Sequence, residues 1–241
     1  MNRLFNPQPR VQVLEPAPGL RVVVLDDVLL QPERVVAWAQ AHRFEAAEGN
    51  LYPGDVLGLP DEFDDRLRDL FWQHARGPLA LRRCQAAYVR LAMATTPAAR
   101  LQPLQWLCHR DRIDEDVGAM FAASVLYLFH DAALGGTRFF APRRPGPELA
   151  QLFRDAQTLQ PADFTARHGI SPGYPAADMA YFDCVASVPA AWNRMIIYDG
   201  GGYHAAAIDH PELLSNDPAT GRLTLNGFFP CRRQAAPAQA R

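Results

Sequence analysis

The fold is decided by the run Trp106 to Pro142, WLCHRDRIDEDVGAMFAASVLYLFHDAALGGTRFFAP. It holds in order a histidine and a carboxylate one residue apart (His109, Asp111), an apolar β-rich run (Ala122 to Phe129), a Gly135-Gly136 turn and a short run from Thr137 to Phe140. In an extended segment residues i and i+2 point to the same side, so His109 and Asp111 can face one point in space. One imidazole and one carboxylate suit a divalent first-row metal but leave it short of protein ligands. A second histidine from elsewhere would complete the two-histidine, one-carboxylate set of non-haem iron(II) sites. His204 is the candidate, because it follows the apolar run Asn193 to Asp199 and three glycines, Gly200 to Gly202, which let the backbone turn sharply just before it.

Outward from this run, composition excludes several classes. The 241 residues carry 24 Lys and Arg against 26 Asp and Glu, so no basic footprint points to nucleic acid. The first twenty residues hold prolines where a signal peptide needs an apolar core, and no apolar stretch approaches the about 18 residues of a membrane span. The reading is a soluble, cytoplasmic protein without nucleic-acid or membrane partners. Four scattered cysteines, Cys84, Cys108, Cys184 and Cys231, form no C-x-x-C pair, which argues against a zinc ribbon or disulfide framework. Cys108 stands beside a candidate ligand, though a buried, inert thiol is its plain reading.

In chain order, Arg21 to Asp27 reads as a strand and Pro32 to His42 as a helix with proline in its first turn. A turn-rich stretch, Gly49 to Asp55, precedes a second helix, Asp61 to Ala75, whose apolar residues recur at three- and four-residue spacings. Gln85 to Met93 reads as a strand. After Pro142 the segment 143–180 is rich in Pro and Gly, with a helix from Glu148; it is expected as an insertion and a lid, not a separate domain. His168 inside it is a weak site candidate, and His42 and His74 read as ordinary positions. Strand patterns resume at Tyr181 to Pro189, Arg194 to Asp199, His204 to Ile208 and Arg222 to Phe229. Many short strands with helices gathered early predict a single, mainly β domain, an antiparallel sandwich or jelly roll carrying flanking helices. The tail from Arg232 is expected to be disordered.

Arg222-Leu223-Thr224 places a guanidinium and a hydroxyl on one side of a strand, an arrangement that binds a carboxylate bidentately with a third hydrogen bond.

The order His-x-Asp, a strand ending Tyr127-Leu128, a Gly-Gly turn, a short strand, then a distal His and a basic residue resembles the Fe(II)/2-oxoglutarate dioxygenases of the prolyl-hydroxylase type. The resemblance spans Tyr88 to Phe229, with a gap in the middle. It implies a double-stranded β-helix, or jelly roll, over 80–230 with the N-terminal helices packed on it. It implies Fe(II) held by His109, Asp111 and His204, and 2-oxoglutarate anchored by Arg222, Thr224 and Tyr127, with Tyr88 in the pocket. O2 would be the other co-substrate, and a small molecule, amino acid or protein side chain would be hydroxylated. Asp111 favours hydroxylation over halogenation, since halogenating relatives leave that position free for chloride. Two features depart from the pattern. The connection from His204 to Arg222 is long and makes His210 a rival ligand, although Pro211 puts it in a turn. Phe129-His130 also stands where the family has Asn. A jelly-roll or cupin-like protein that binds metal or ligand without turnover is the alternative, and a cupin-like enzyme would keep the three ligands without needing Arg222.

Overall fold

A computed structural model describes residues 4–46, 51–111 and 118–233. The strands are β1 (Arg10–Ala17), β2 (Leu20–Asp26), β3 (Glu45–Ala46), β4 (Gly54–Gly58), β5 (Leu81–Cys84), β6 (Tyr88–Ala94), β7 (Ala119–Tyr127), β8 (Thr137–Pro142), β9 (Phe182–Val188), β10 (Arg194–Asp199), β11 (Tyr203–Ala206) and β12 (Leu223–Arg233). The helices are α1 (Pro32–Gln40), α2 (Glu62–Ala75), α3 (Gly146–Thr158) and α4 (Pro161–His168). A large sheet runs β1-β2-β10-β7-β12-β6-β4-β3, with β5 also paired to β12; a small sheet runs β11-β8-β9. The strand pairs are antiparallel.

Side-chain alternation sorts these strands into layers. In β2, Val22 and Val24 face one core while Val23 and Leu25 face another. In β10, Ile196 and Tyr198 join the first set, and Met195 and Ile197 the second. The first set meets Phe139 and Val188 of the small sheet, so the two sheets share a core. The second set meets the buried faces of α1 and α2. Phe71 of α2 stacks on Phe229 of β12 at 3.9 Å between ring centroids, and burying each ring is worth about 1.5–3 kcal/mol. Beyond the small sheet, Phe140 and Phe182 pack against Leu149, Leu152 and Phe164 of α3 and α4. The order is therefore helices, large sheet, small sheet, helices.

The sequence places α1, α2, β7, β10 and the start of β12 within a few residues. It misses more of the N-terminal part, which does not only lay helices on the sheet: β1 to β4 extend the sheet itself, so the β core begins well before residue 80. β1 alternates only over Arg10 to Val13, where Val11 and Val13 stay exposed, and Pro16 interrupts the pattern, so it reads weakly as a strand. Segment 143–180 forms two helices with their own buried face rather than mostly loop. Arg232 and Arg233, placed by sequence in a disordered tail, end β12; the rest of that predicted tail, 234–241, lies outside the described residues.

Candidate metal centre

His109 and Asp111 precede β7 and are held against the end of β10 and the start of β11 by main-chain bonds. His109 and His204 exchange N–H···O bonds of 2.9 Å in both directions, and the Asp111 N–H donates to the Gly200 carbonyl at 2.9 Å. This isolated bridge brings two segments far apart in sequence side by side, with both imidazoles and the carboxylate converging. His109 Nε2 lies 3.6 Å from Asp111 Oδ1, and His204 Nε2 lies 3.5 Å from Asp111 Oδ2. The three donor atoms all lie within 4.8 Å of one another. Bonds of about 2.1 Å to a metal put neighbouring ligands about 3 Å apart, so a small inward movement would seat an ion.

Three further observations fit a cation there. Asp111 Oδ2 is buried and has no hydrogen-bond partner among the described residues, a costly state for a carboxylate oxygen unless a cation faces it. His204 Nδ1 lies 2.9 Å from the Gly202 carbonyl; an N–H there donates to it and leaves the Nε2 lone pair aimed at Asp111, the outer hydrogen bond that orients ligating histidines. Gly200 is shaped for the carboxylate: a Cβ added to it would lie 2.4 Å from Asp111 Oδ2 and 2.9 Å from the Phe121 carbonyl. The three glycines do turn the chain, with the Gly202 N–H bonded to the Asp199 carbonyl at 3.1 Å, although none of them has a positive φ. Gly200 is needed for space.

The electrostatics follow from this crowding. Burial pushes His109 down, and the neighbouring His204 adds to that. Burial pushes His204 the same way, but the Asp111 carboxylate and the Gly202 carbonyl outweigh it, and His204 is raised. Burial would raise Asp111, yet the two histidines hold it well below the usual carboxylate range.

His109 and Asp111 line a cavity of about 510 Å³ between the sheets, with His204 buried behind them. Register fixes which residues enter it: Thr224 pairs with Tyr127, Asn226 with Val125 and Phe228 with Ala123, and alternate residues of each strand share the inner face. Arg222, just before β12, is 3% exposed and also lines the cavity. Its Nε donates to the Leu134 carbonyl and an Nη to the Gly136 carbonyl, both at 2.9 Å, and the guanidinium lies 5.7 Å from the centre of the Phe129 ring. The Gly135-Gly136 turn thus builds the arginine's seat. Both positions exclude a side chain, since a Cβ at Gly135 would lie 1.8 Å from the Ala207 carbonyl and one at Gly136 2.0 Å from that of Val188. Among the described residues no carboxylate pairs with Arg222, and Thr224 sits beside it on the wall.

Other predicted residues fall differently. The Tyr127 hydroxyl is 2.8 Å from Thr137 Oγ1, deep in the core, and burial pushes it up to about 12. Thr137, not Tyr127, meets the cavity. Tyr88 is 58% exposed and lies outside the cavity lining, where Arg90 two residues on takes its place. His210 pairs with Glu212 on the surface and joins no ligand cluster. His168 is held between Asp155 and Tyr181 at 2.8 and 2.9 Å, a satisfied core histidine. Cys108 packs between α3 and the small sheet, and burial pushes its thiol up. Cys84 and Cys231, far apart in sequence, face each other across β5 and β12 as free thiols, the Cys84 thiol donating to the Ala86 carbonyl at 3.1 Å. Sequence reading missed Tyr52, which lines the cavity close enough to Thr224 and Arg222 for them to act on its hydroxyl, and Tyr174, whose hydroxyl donates to the Thr96 carbonyl at 2.8 Å. Tyr52 stands in a turn-rich stretch whose contacts are all distant, and its only sequence signal is an aromatic beside Pro53.

The fold and site define a two-sheet antiparallel protein with a His-Asp-His cluster able to hold a metal beside a buried arginine. The chain belongs to the DUF6445 family, described as a family of unknown function, which matches residues 7–229. No curated protein matches the sequence. Solved structures similar to it include HygX from Streptomyces hygroscopicus with nickel and 2-oxoglutarate bound, at 9% identity, 89% of this chain, 83% of that chain and a TM-score of 0.47. A Pseudomonas putida prolyl-4-hydroxylase matches at 17% identity, 86% and 89% coverage and a TM-score of 0.40. The non-heme alpha ketoglutarate dependent carbocyclase SnoK from nogalamycin biosynthesis matches at 13% identity, 90% and 84% coverage and a TM-score of 0.45. Among the described residues no helix is long and apolar enough to cross a membrane.

Proposed function

We propose that this chain is an Fe(II)- and 2-oxoglutarate-dependent oxygenase that hydroxylates a small molecule, amino acid or protein side chain, on a single jelly-roll domain spanning the chain. The observation that carries the reading is one cavity lined by His109 and Asp111, against which His204 is clustered, and by a buried guanidinium, Arg222, without a described carboxylate partner. A buried cation with no counter-ion is costly, and a dicarboxylate co-substrate would supply one. A metal-binding protein without co-substrate, or a cupin-like enzyme, leaves Arg222 unexplained.

His109, Asp111 and His204 would hold iron, and three protein donors leave room for exchangeable ligands. Bound iron with 2-oxoglutarate and O2 would supply the oxidising power: one oxygen atom enters a substrate C–H bond, the other enters succinate, and CO2 leaves. The remaining work falls to the protein. Arg222 and Thr224 would take the far carboxylate of 2-oxoglutarate, with the Tyr52 hydroxyl beside them, and Tyr127 would brace the site through Thr137 rather than touch the co-substrate. Ala123, Val125 and Leu107 supply apolar wall that keeps water from the reacting centre. The segment 143–180 would act as the lid, since Tyr174 and Pro175 form part of the wall and the Tyr174 bond to Thr96 fastens it across the opening. The free Cys84 and Cys231 side by side suit a reducing compartment, the cytoplasm.

The test is conversion of 2-oxoglutarate to succinate by the iron-loaded protein in air. Slow, substrate-independent succinate formation is expected in the native chain and not in Arg222→Gln. Equal rates in the two would refute the assignment of Arg222, and none in either would refute the oxygenase reading.

A further inference from the structure

Arg222 is not the only guanidinium in the cavity without an ion pair among the described residues; the carboxylate whose charge reaches Arg90 is Asp111, which belongs to the metal cluster. Arg90, on β6, lies over the Tyr52 ring at 5.7 Å and over the Phe228 ring at 5.5 Å, and its buried Nε has no hydrogen-bond partner among the described residues. Directly across the strand pair is Asn226, its register partner on β12. Asn226 is 8% exposed, lines the same cavity, and its Oδ1 is likewise buried without a described partner. Two neighbouring polar side chains, one an unused donor and one an unused acceptor, are expensive to bury unless a ligand answers both. Neither is needed by the site already described: the metal has its three donors, and Arg222 with Thr224 meets one carboxylate.

We propose that Arg90 and Asn226 recognise the primary substrate, and that it is a free carboxylic acid with an N–H or O–H donor beside the carboxylate, as in an α-amino or α-hydroxy acid. This rests on the oxygenase reading for the reaction but not for the binding. The guanidinium, fixed between two aromatic rings, takes the carboxylate; the Asn226 carbonyl accepts from the adjacent amine or hydroxyl. A second anion site separate from Arg222 lets the co-substrate and the substrate bind together without exchanging places. The third arginine on the wall, Arg110, lies over Tyr203 at 5.2 Å and its Nε is likewise buried without a hydrogen-bond partner among the described residues, but it stands between His109 and Asp111 in sequence rather than across a strand pair from an amide, and serves as the control.

The test uses the full chain loaded with zinc and saturated with 2-oxoglutarate, so that the Arg222 position is filled. L-alanine, L-leucine, L-phenylalanine, L-glutamate and L-lactate are each compared with the corresponding carboxamide by ligand-observed NMR. At least one acid should bind 10-fold or more tightly than its amide. Arg90→Gln should lose that preference and Asn226→Leu should weaken the acid by several-fold, while both variants keep native melting temperatures and native 2-oxoglutarate affinity. The proposal is overturned if no acid binds in preference to its amide, if the preference survives Arg90→Gln, or if it is lost only in Arg110→Gln. Displacement of the acid by raising 2-oxoglutarate would also overturn it, because Arg90 would then belong to the co-substrate. Failure of the oxygenase reading looks different: 2-oxoglutarate itself would not bind, while acid and amide could still be compared without it.

Discussion

The two ends of the cavity are built by opposite means. At the arginine end, Arg222 leads into an eleven-residue strand paired on both sides, and its guanidinium is fastened to carbonyls of the Gly135-Gly136 turn. At the metal end, the short His109–Asp111 segment, outside the named strands, is joined by a single bridge to β11, the edge strand of the small sheet, and the side-chain donors have no mutual bond shorter than 3.5 Å. One end is part of the framework, and the other is placed on its edge. The difference teaches that damage at the arginine end should reach the fold, whereas damage at the metal end should be confined to binding.

The same substitution at two glycines separates them most sharply. Gly135→Ala would force a side chain into a φ of +80° and against the Ala207 carbonyl, costing about 3–5 kcal/mol and about 10 °C in melting temperature by calorimetry. Arg222→Gln should raise the dissociation constant for 2-oxoglutarate about 100-fold in a metal-loaded titration, by removing a charge-assisted pair, with metal binding unchanged. Gly200→Ala should lower metal affinity about 10- to 100-fold by displacing Asp111, with a melting temperature close to native. If Gly200→Ala unfolded the protein as Gly135→Ala does, the contrast between the ends would fail.

The smallest effect is a proton. Without metal, His204 is raised and keeps its proton to higher pH than an ordinary histidine, while His109 is lowered and Asp111 stays ionised. Metal must displace the His204 proton, so affinity should rise with pH until His204 has titrated and then level off. Calorimetry in buffers of different ionisation enthalpy should count close to one proton released below that point and none above it.

How much of this was legible follows from where each contact lies in the sequence. His109 and Asp111 declare themselves because one strand period separates them, and His204 because an apolar strand and small residues deliver it. Arg222 and Thr224 share the same period, which is why they survive the long connection before them. Tyr52, Arg90 and Asn226 are joined only by the pairing of β4, β6 and β12, which no local pattern carries. Tyr127 shows the reverse case: its place on the strand was read correctly, but its hydroxyl is used by Thr137, and only three-dimensional packing reveals that. β1 escaped because its alternation, Arg10 to Val13, is too short to mark a strand and is followed by Pro16.

The most direct test is an anaerobic titration of the Fe(II)-loaded protein with 2-oxoglutarate, following the weak visible charge-transfer band of the chelate, in the native chain and in His204→Ala. The account predicts a saturable band in the native protein and none in the variant. A folded, metal-bound native protein that gives no band, or a variant that gives the same one, would contradict it.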